Sequence, residues 1–220
     1  MVKPLSRQFS DSKESITWYE MSKYAYNAIP DPYCYPNSDV MINRFGIKNA
    51  MELDAVEREL TLNRLGELLH KPVSGRFGFT HLKRIHKAVF GDLFEWAGQP
   101  REHGFITKGE TIFCNAGFID QEAVRIFGQL ASDDNKLRGL EFDKFVERLV
   151  YYSSEINALH PFRDGNGRSL REFIRQLAAA NGYSIRWQLV PPDVLLRADI
   201  SAFYKEYDSL KSVYNRILMK

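Results

Sequence analysis

The sequence predicts an all-α domain interrupted by one small β-hairpin. Three observations carry that prediction. In stretch after stretch, apolar residues recur at three- and four-residue steps, as the buried stripe of a helix requires. Proline and glycine clusters punctuate those stretches at the spacing expected of helix boundaries. Residues 101–116 break the helical period, and there β-branched and aromatic residues flank a turn dipeptide, which is the pattern of a hairpin. A chain of 220 residues is long enough for one core or for one domain with an extension. Its 44% hydrophobic and 26% charged content is ordinary for a globular protein. A net charge of +2 gives no ground for nucleic-acid or membrane partners. Two cysteines, Cys34 and Cys114, make no disulfide framework and suit a reducing compartment. The chain has no apolar run of about 18 residues, and M-V-K-P-L-S-R-Q at its start has no apolar signal core. The expected location is the cytoplasm, or the outside of the cell by a specialised export route.

Residues 1–31 read as an N-terminal extension and residues 32–218 as the domain. Residues 1–14 are polar and loose. Residues 14–29 suit a short helix, with Trp18, Met21, Tyr24, Ala25 and Ala28 on one side, broken by Pro30, Asp31 and Pro32. The helix predicted over 49–70 has Leu53, Val56, Leu60 and Leu68 as its stripe and is rich in helix formers. Pro72 and Gly75 mark a loop, and a helix over 80–94 follows, with Leu82, Ile85, Val89 and Phe90 facing inward. His81 and His86 are five apart, a spacing that puts no two ligands on one helix face, so both read as structural or surface residues. In the hairpin, Phe105, Ile106 and Thr107 precede Lys108-Gly109, and Thr111, Ile112 and Phe113 follow. In a helical chain such a hairpin exposes a strand edge that can register an extended segment, although a merely decorative hairpin has the same pattern. The next helix covers 119–132, carrying Val124, Ile126, Phe127 and Leu130, and a polar connector covers 133–140. The helix over 141–159 has Phe142, Phe145, Leu149, Tyr152 and Ile156 on one face, and that over 166–180 has Leu170, Phe173, Ile174 and Leu177. Asn181-Gly182 stops it. Residues 183–190 read as extended, and Pro191-Pro192-Asp193 opens a last helical region to 218.

The richest chemistry lies in residues 160–171, H-P-F-R-D-G-N-G-R-S-L-R. His160-Pro161 ends one helix, because a residue before proline is pushed out of the helical region. Gly165 and Gly167 permit positive φ and close approach of a ligand. The helix that follows offers unpartnered N–H groups and the positive end of its dipole to an anion. Arg168 and Arg171, three apart, reach the same end of that helix, and guanidinium forks suit phosphate oxygens. Asp164 among these cations suits Mg²⁺, which takes one or two carboxylates and shares substrate phosphates. His160, with an ordinary pKa of about 6.5, can take a proton from a hydroxyl. Taken singly, His-Pro is a helix stop, Gly-Asn-Gly a turn and the arginines a solvated face. Their combination at fixed spacing points to a phosphate-binding catalytic site.

The same twelve residues match every fixed position of the Fic motif, H-x-F-x-[D/E]-G-N-[G/K]-R-x-x-R, and on them the chain resembles the Fic family. The lead-in D-P-Y-C-Y-P at 31–36, with Val40, Ile42, Asn43, Phe45, Gly46 and Ile47, is similar to that of bacterial Fic toxins. So is W-A-G-x-x-R at 96–101. The resemblance implies a Fic-type helical domain with a β-hairpin flap. It also implies a protein adenylyltransferase that moves AMP from ATP to a Tyr, Ser or Thr of a target protein (AMPylation), as bacterial toxins or effectors do. By position, His160 becomes the base, and Asp164 holds Mg²⁺ or Mn²⁺. Gly165, Asn166 and Gly167 form the anion hole, Arg168 and Arg171 hold the outer phosphates, and Phe162 is a core anchor. Arg163 fills a variable position, and its charge and place suggest phosphate contact. Ile106, Thr107, Lys108, Gly109 and Phe113 belong to the flap that positions the target. Gly-Asn-Gly, where the phosphorylating Doc branch has Ala-Asn-Lys, separates the chain from that branch. Transfer of UMP or phosphocholine on the same fold, and a non-catalytic binding module, are the alternatives. Many relatives carry an inhibitory helix, [S/T]-x-x-x-E-[G/N], whose glutamate pairs with the second motif arginine, here Arg171. The nearest match, Ser10 to Glu14, is followed by Ser15, which departs from the pattern. The expected inhibitor is therefore a separate small antitoxin that supplies the glutamate.

Overall fold

Helix α4 (Phe142–Leu159) is the element against which the others pack. It buries Phe145, Leu149, Tyr152 and Ile156, as its period requires, and also Val146, Val150, Ser153, Ser154 and Glu155. A helix covered on nearly all sides belongs to the interior. The expected face loses only Phe142, which is exposed at the first position. The computed structural model describes residues 25–26, 31–132 and 135–220. Among them, four helices surround α4: α3 (Ile119–Ser132), α5 (Asn166–Ala179), α6 (Pro192–Phe203) and α7 (Asp208–Ile217). α2 (Phe79–Phe90) packs on α5, and α1 (Ala50–His70) lies over α2. The architecture is all-α, with one small antiparallel sheet, β1 (Ala25–Tyr26), β2 (Ile106–Lys108) and β3 (Thr111–Ile112), and one two-stranded pair, β4 (Ser184–Ile185) and β5 (Leu218–Met219).

Local chemistry explains most boundaries. The Asn49 side chain accepts the Glu52 N–H at 3.1 Å, which caps α1. α2 ends at Phe90, short of the expected 94, because Gly91 closes it and the chain turns before Phe94. In α3 the exposed Val124 does not face the core, and Ile119 and Ala123 complete the buried stripe with Ile126, Phe127 and Leu130. The polar connector contains a left-handed turn at Asn135–Leu137 that buries Leu137. The last helical region is two helices, not one. Lys205 adopts φ +70° between α6 and α7 and breaks the run. β4 and β5 then tie Ser184 to Met219 and Ile185 to Leu218.

The helix expected over 14–29 lies outside the described residues except at Ala25–Tyr26. Those two residues are a strand, paired with β2. No helix among the described residues is long and apolar enough to cross a membrane. Cys34 and Cys114 are both free thiols.

Phe173 of α5 is fully buried, with ring neighbours Phe77, His81 and Phe127 all at 5.7–5.8 Å between centroids. Phe173→Ala removes that contact and leaves a cavity. Its urea unfolding free energy should drop by about 3–5 kcal/mol at unchanged m-value. A loss below about 1 kcal/mol would place the core elsewhere.

Candidate active site

α4 ends on His160, which turns the chain with left-handed angles, φ 44° and ψ 57°. A non-glycine residue there is strained and persists only where its surroundings hold it. The imidazole Nδ1–H donates to the Asn157 carbonyl at 3.1 Å, so in the neutral ring Nε2 carries the lone pair. His160 is 1% exposed. Burial holds its pKa down to about 3; the Asn157 contact opposes that, and the charges of Arg101 and Lys108 add to it. Phe113 stacks on the ring at 3.7 Å. The base expected at this position is thus a neutral imidazole with one tautomer fixed.

The loop after His160 is held by its carbonyl groups. Arg101 Nε donates to His160 O at 3.1 Å, and the Arg101 backbone N–H to Pro161 O at 2.8 Å. The Asn166 amide donates to Phe162 O at 2.8 Å and accepts the Phe162 N–H at 2.9 Å. His86 accepts the Gly98 N–H on Nδ1 at 2.8 Å, so its Nε2–H donates to Asp164 O at 2.9 Å. The His86 ring stacks on Phe162 at 3.8 Å, which makes Phe162 the expected core anchor. Burial takes His86 down to about 3 as well. Both histidines of α2 are buried: His81 meets Gln176 at 3.0 Å.

Gly165 precedes α5 at φ +75°, and a Cβ there would lie 2.3 Å from the Phe90 ring, so only glycine fits. Gly167 departs from the expectation of positive φ: it is helical, and its missing side chain makes room for the Arg171 guanidinium, 3.3 Å from where a Cβ would stand. The bond from Ser169 N–H to Gly165 O starts the helical ladder, so the preceding N–H groups face the anion end. Asp164 Oδ1 accepts the Gly165 N–H. No group of three or more His, Cys, Asp or Glu able to hold a metal occurs among the described residues. One carboxylate beside an anion-binding helix end fits a Mg²⁺ shared with phosphates, not a protein cage.

The three arginines have different neighbours. Arg168 pairs with Glu57 of α1, reaches Thr61 Oγ1 at 3.3 Å and lies over the Phe90 ring at 4.6 Å. Burial pushes the Glu57 carboxyl up, and Arg168 pulls it back. Arg171 lines a cavity between α4, α5 and α6 with Asn157, Gly167, Trp187, Asp199 and Tyr214. Burial pushes Asp199 up to about 6 against the pull of Arg171 and Lys108. Arg163, expected to contact phosphate from its charge and place in the loop, is paired with a carboxylate, as Arg168 is. Its guanidinium donates to Asp31 at 3.0 and 2.8 Å, which ties the lead-in segment to the motif loop.

The expected hairpin is present, with its turn at Gly109 (φ +57°) and Glu110, one residue later than read from the sequence. Ile106 and Phe113 are buried, Thr107 and Lys108 half-buried. Burial lowers the Lys108 pKa, while Asp199 and Asp164 raise it. The Phe113 N–H donates to Ile106 O at 3.0 Å, so Ile106 directs its backbone groups to β3 and Thr107 directs its own outward. That outward side is not open. β1 pairs along it, Ala25 with Thr107 and Tyr26 with Ile106.

Sequence reading named neither Glu57 nor Thr61; it had His86 as a structural or surface residue and Arg101 and Asp31 as parts of similar segments, without the contacts each makes with the loop. For Glu57 and Thr61 a signal existed: with Leu53 they form an i, i+4, i+8 row, so two polar residues interrupt a buried stripe.

Known proteins share the sequence and the fold that carry this geometry. Residues 76–178 match the Fic/DOC family. The chain is 42% identical over 193 residues to protein adenylyltransferase VbhT of Bartonella schoenbuchensis, covering 88% of this chain and 40% of VbhT. It therefore spans less than half the length of that relative. It is 37% identical over 188 residues to the probable protein adenylyltransferase Fic of Escherichia coli K12, covering 86% of this chain and 92% of that protein. Among solved structures, BepC of Bartonella tribocorum, a VirB-translocated effector with bound AMPPNP, superposes with a TM-score of 0.78 at 26% identity, covering 85% of this chain and 96% of that one.

The neutral state of His86 has a measurable consequence. Its folded pKa of about 3 lies below the ordinary 6.5, so the folded protein binds fewer protons than the unfolded chain between those values. The associated stability is intact above about pH 6.5 and is lost as pH falls toward about 3. His86→Gln should weaken that dependence. Between pH 7 and pH 5 its urea-measured stability should fall less than the wild type's, by about 2 kcal/mol. Equal pH slopes would show that the fold does not resist protonation of His86.

Proposed function

The chain belongs to the Fic/DOC family, and on that premise we propose that it is a protein adenylyltransferase, moving AMP from ATP to a hydroxyl side chain of a target protein. One observation carries the reading: His160 commits its Nδ1–H to Asn157, which makes Nε2 the proton-accepting nitrogen, on the loop that leads into the helix N-terminus flanked by Arg168 and Arg171. In the proposed reaction Nε2 takes the proton of the acceptor hydroxyl. The hydroxyl oxygen attacks the α-phosphorus, and pyrophosphate leaves with the broken bond's electrons. Developing charge on the phosphates meets the first N–H groups of α5 and the two arginines, which stabilise it most where water is excluded. Asp164 would hold Mg²⁺ or Mn²⁺, which when bound supplies charge neutralisation to the phosphates.

The hairpin is the proposed target-positioning element, because Phe113 packs on His160 and Lys108 approaches the acidic groups of the site. A target strand that used the outer side of β2 would have to replace β1 there. A separate antitoxin carrying a glutamate to Arg171 is the proposed regulator. The competing motif at Ser10 to Glu14 lies outside the described residues and departs at Ser15. The proposed setting is a bacterial cytoplasm, or export as an effector.

Transfer from [α-³²P]ATP to proteins of a cell lysate tests the activity directly. Wild-type chain should label protein from α-labelled but not γ-labelled ATP, and poorly from UTP or CDP-choline. Label from the γ position would mean phosphoryl transfer instead. His160→Ala should lower the labelling rate by about 10² to 10⁴ while Mg-ATP affinity by calorimetry changes little, since the imidazole acts on the acceptor. Labelling near the wild-type rate would remove His160 from the chemistry. Asp164→Ala should abolish the difference in ATP affinity that a chelator produces in the wild type. If the wild type itself binds ATP equally with and without chelator, Asp164 is a turn residue only.

A further inference from the structure

Arg101 is 2% exposed, and its guanidinium meets the catalytic loop and the hairpin together. Nε donates to the carbonyl of His160 at 3.1 Å, Nη1 to that of Gly104 at 2.9 Å, and Nη2 to that of Cys114. Gly104 precedes β2 and Cys114 follows β3, so they are the two feet of the hairpin. The feet are closed further where Ala116 N–H donates to Gly104 O at 2.8 Å and Cys114 N–H donates to Ala158 O, in the last turn of α4, at 3.0 Å. The backbone N–H of Arg101 completes the junction on Pro161 O at 2.8 Å.

We propose that Arg101 is a positioning residue for the transfer reaction: its fork fixes the left-handed turn at His160 and both feet of the hairpin to one point, so that the base and the hairpin keep a single relative geometry. The proposal rests on the reading of His160 as the base. Only arginine offers five N–H donors in one rigid plane, and three carbonyl oxygens around a buried point call for that fan. A lysine ammonium presents its three donors from a single nitrogen and reaches fewer of them. Burying a charge at this depth is costly unless its donors are met, and here carbonyl dipoles meet them. The strained backbone of His160 needs such a holder, because an unrestrained residue relaxes from the left-handed region. Relaxation of the His160–Pro161 peptide would swing the imidazole off Phe113 and off the direction set by Asn157. A displacement of about 1 Å at a reacting group can cost on the order of 10²-fold in rate.

The test uses the full chain with Arg101→Gln and Arg101→Lys. Three quantities are read: Mg-ATP affinity by calorimetry, the rate of protein labelling from saturating [α-³²P]ATP in lysate, and amide exchange over residues 104–114 against α5. In Arg101→Gln labelling should fall by about 10² or more, with ATP affinity within about threefold of wild type. Exchange should accelerate at 104–114 and not in α5. Arg101→Lys, which keeps the charge and part of the fan, should recover about tenfold of the lost rate. Should the glutamine variant fail to fold, the lysine variant decides by the same split. Labelling within about threefold of wild type in Arg101→Gln overturns the proposal. So does a loss of ATP affinity that matches the loss of labelling in both variants, or faster exchange through α5 as well, since either makes Arg101 a residue that merely holds the fold. Absence of α-label transfer by the wild type would instead overturn the adenylyl reading. The ring ¹⁵N shifts of His160 then still decide: a Nδ1–H tautomer lost in Arg101→Gln supports the positioning role, and an unchanged one overturns it.

Discussion

The structure depends on how the carbonyl groups of a single loop are satisfied. Between His160 and Asp164 the chain leaves one helix and enters another, and a tight turn of this kind leaves its polar groups without ladder partners. An unmet buried carbonyl costs about 1–3 kcal/mol. Here Arg101 takes His160 O and Pro161 O, Asn166 takes Phe162 O, and His86 takes Asp164 O. With the carbonyls held from behind, the N–H groups at the start of α5 are left to face the site. The anion-binding character of the helix end follows from that division. The neighbouring elements are placed to serve it: α2 brings His86, the segment after it brings Arg101, and α5 folds Asn166 back onto the loop.

The same division explains what the sequence reveals. Helices α1 to α5 are legible because burial repeats along one chain segment, and the stripe of Phe145, Leu149, Tyr152 and Ile156 needs no distant partner to be recognised. The motif is legible because its residues are contiguous. The residues that hold the motif are not. His86 lies 78 positions from Asp164, and Arg101 lies 59 from His160. Nothing local distinguishes a histidine on a helix that will donate to a remote carbonyl from one that merely fills space. Arg163 shows the same limit from the other side. Its charge and place in the motif loop suggest a phosphate contact, and nothing local shows that Asp31, 132 positions away, supplies a carboxylate at hydrogen-bond distance. The break between α6 and α7 escapes for a simpler reason: Lys205 takes its left-handed angle without glycine or proline to announce it.

Charge is distributed with similar economy. Arg168 does not wait in an empty site; Glu57 and Thr61 already hold it over the Phe90 ring. A phosphate that engages this guanidinium shares or replaces a carboxylate, so the net gain is a difference between two pairings rather than the whole of one. Glu57 thereby keeps the guanidinium pre-oriented, which lowers the entropy lost on binding. The raised pKa of Glu57 belongs to the same arrangement, since burial disfavours its charge and direct contact with Arg168 only partly restores it.

The pairing of Ala25 and Tyr26 with the outer side of β2 gives that edge a resident. A ladder two residues long is weak by itself. Asp31, five positions on from Tyr26 in the chain, is clamped by Arg163. Connection through the chain keeps such a strand at a higher local concentration than a free segment. An extended segment that used this edge would therefore enter an exchange, its apparent affinity scaled by the fraction of time the edge is vacant. Arg163 would then have a bearing on which strangers are admitted, because its grip on Asp31 fixes where the resident's chain is anchored.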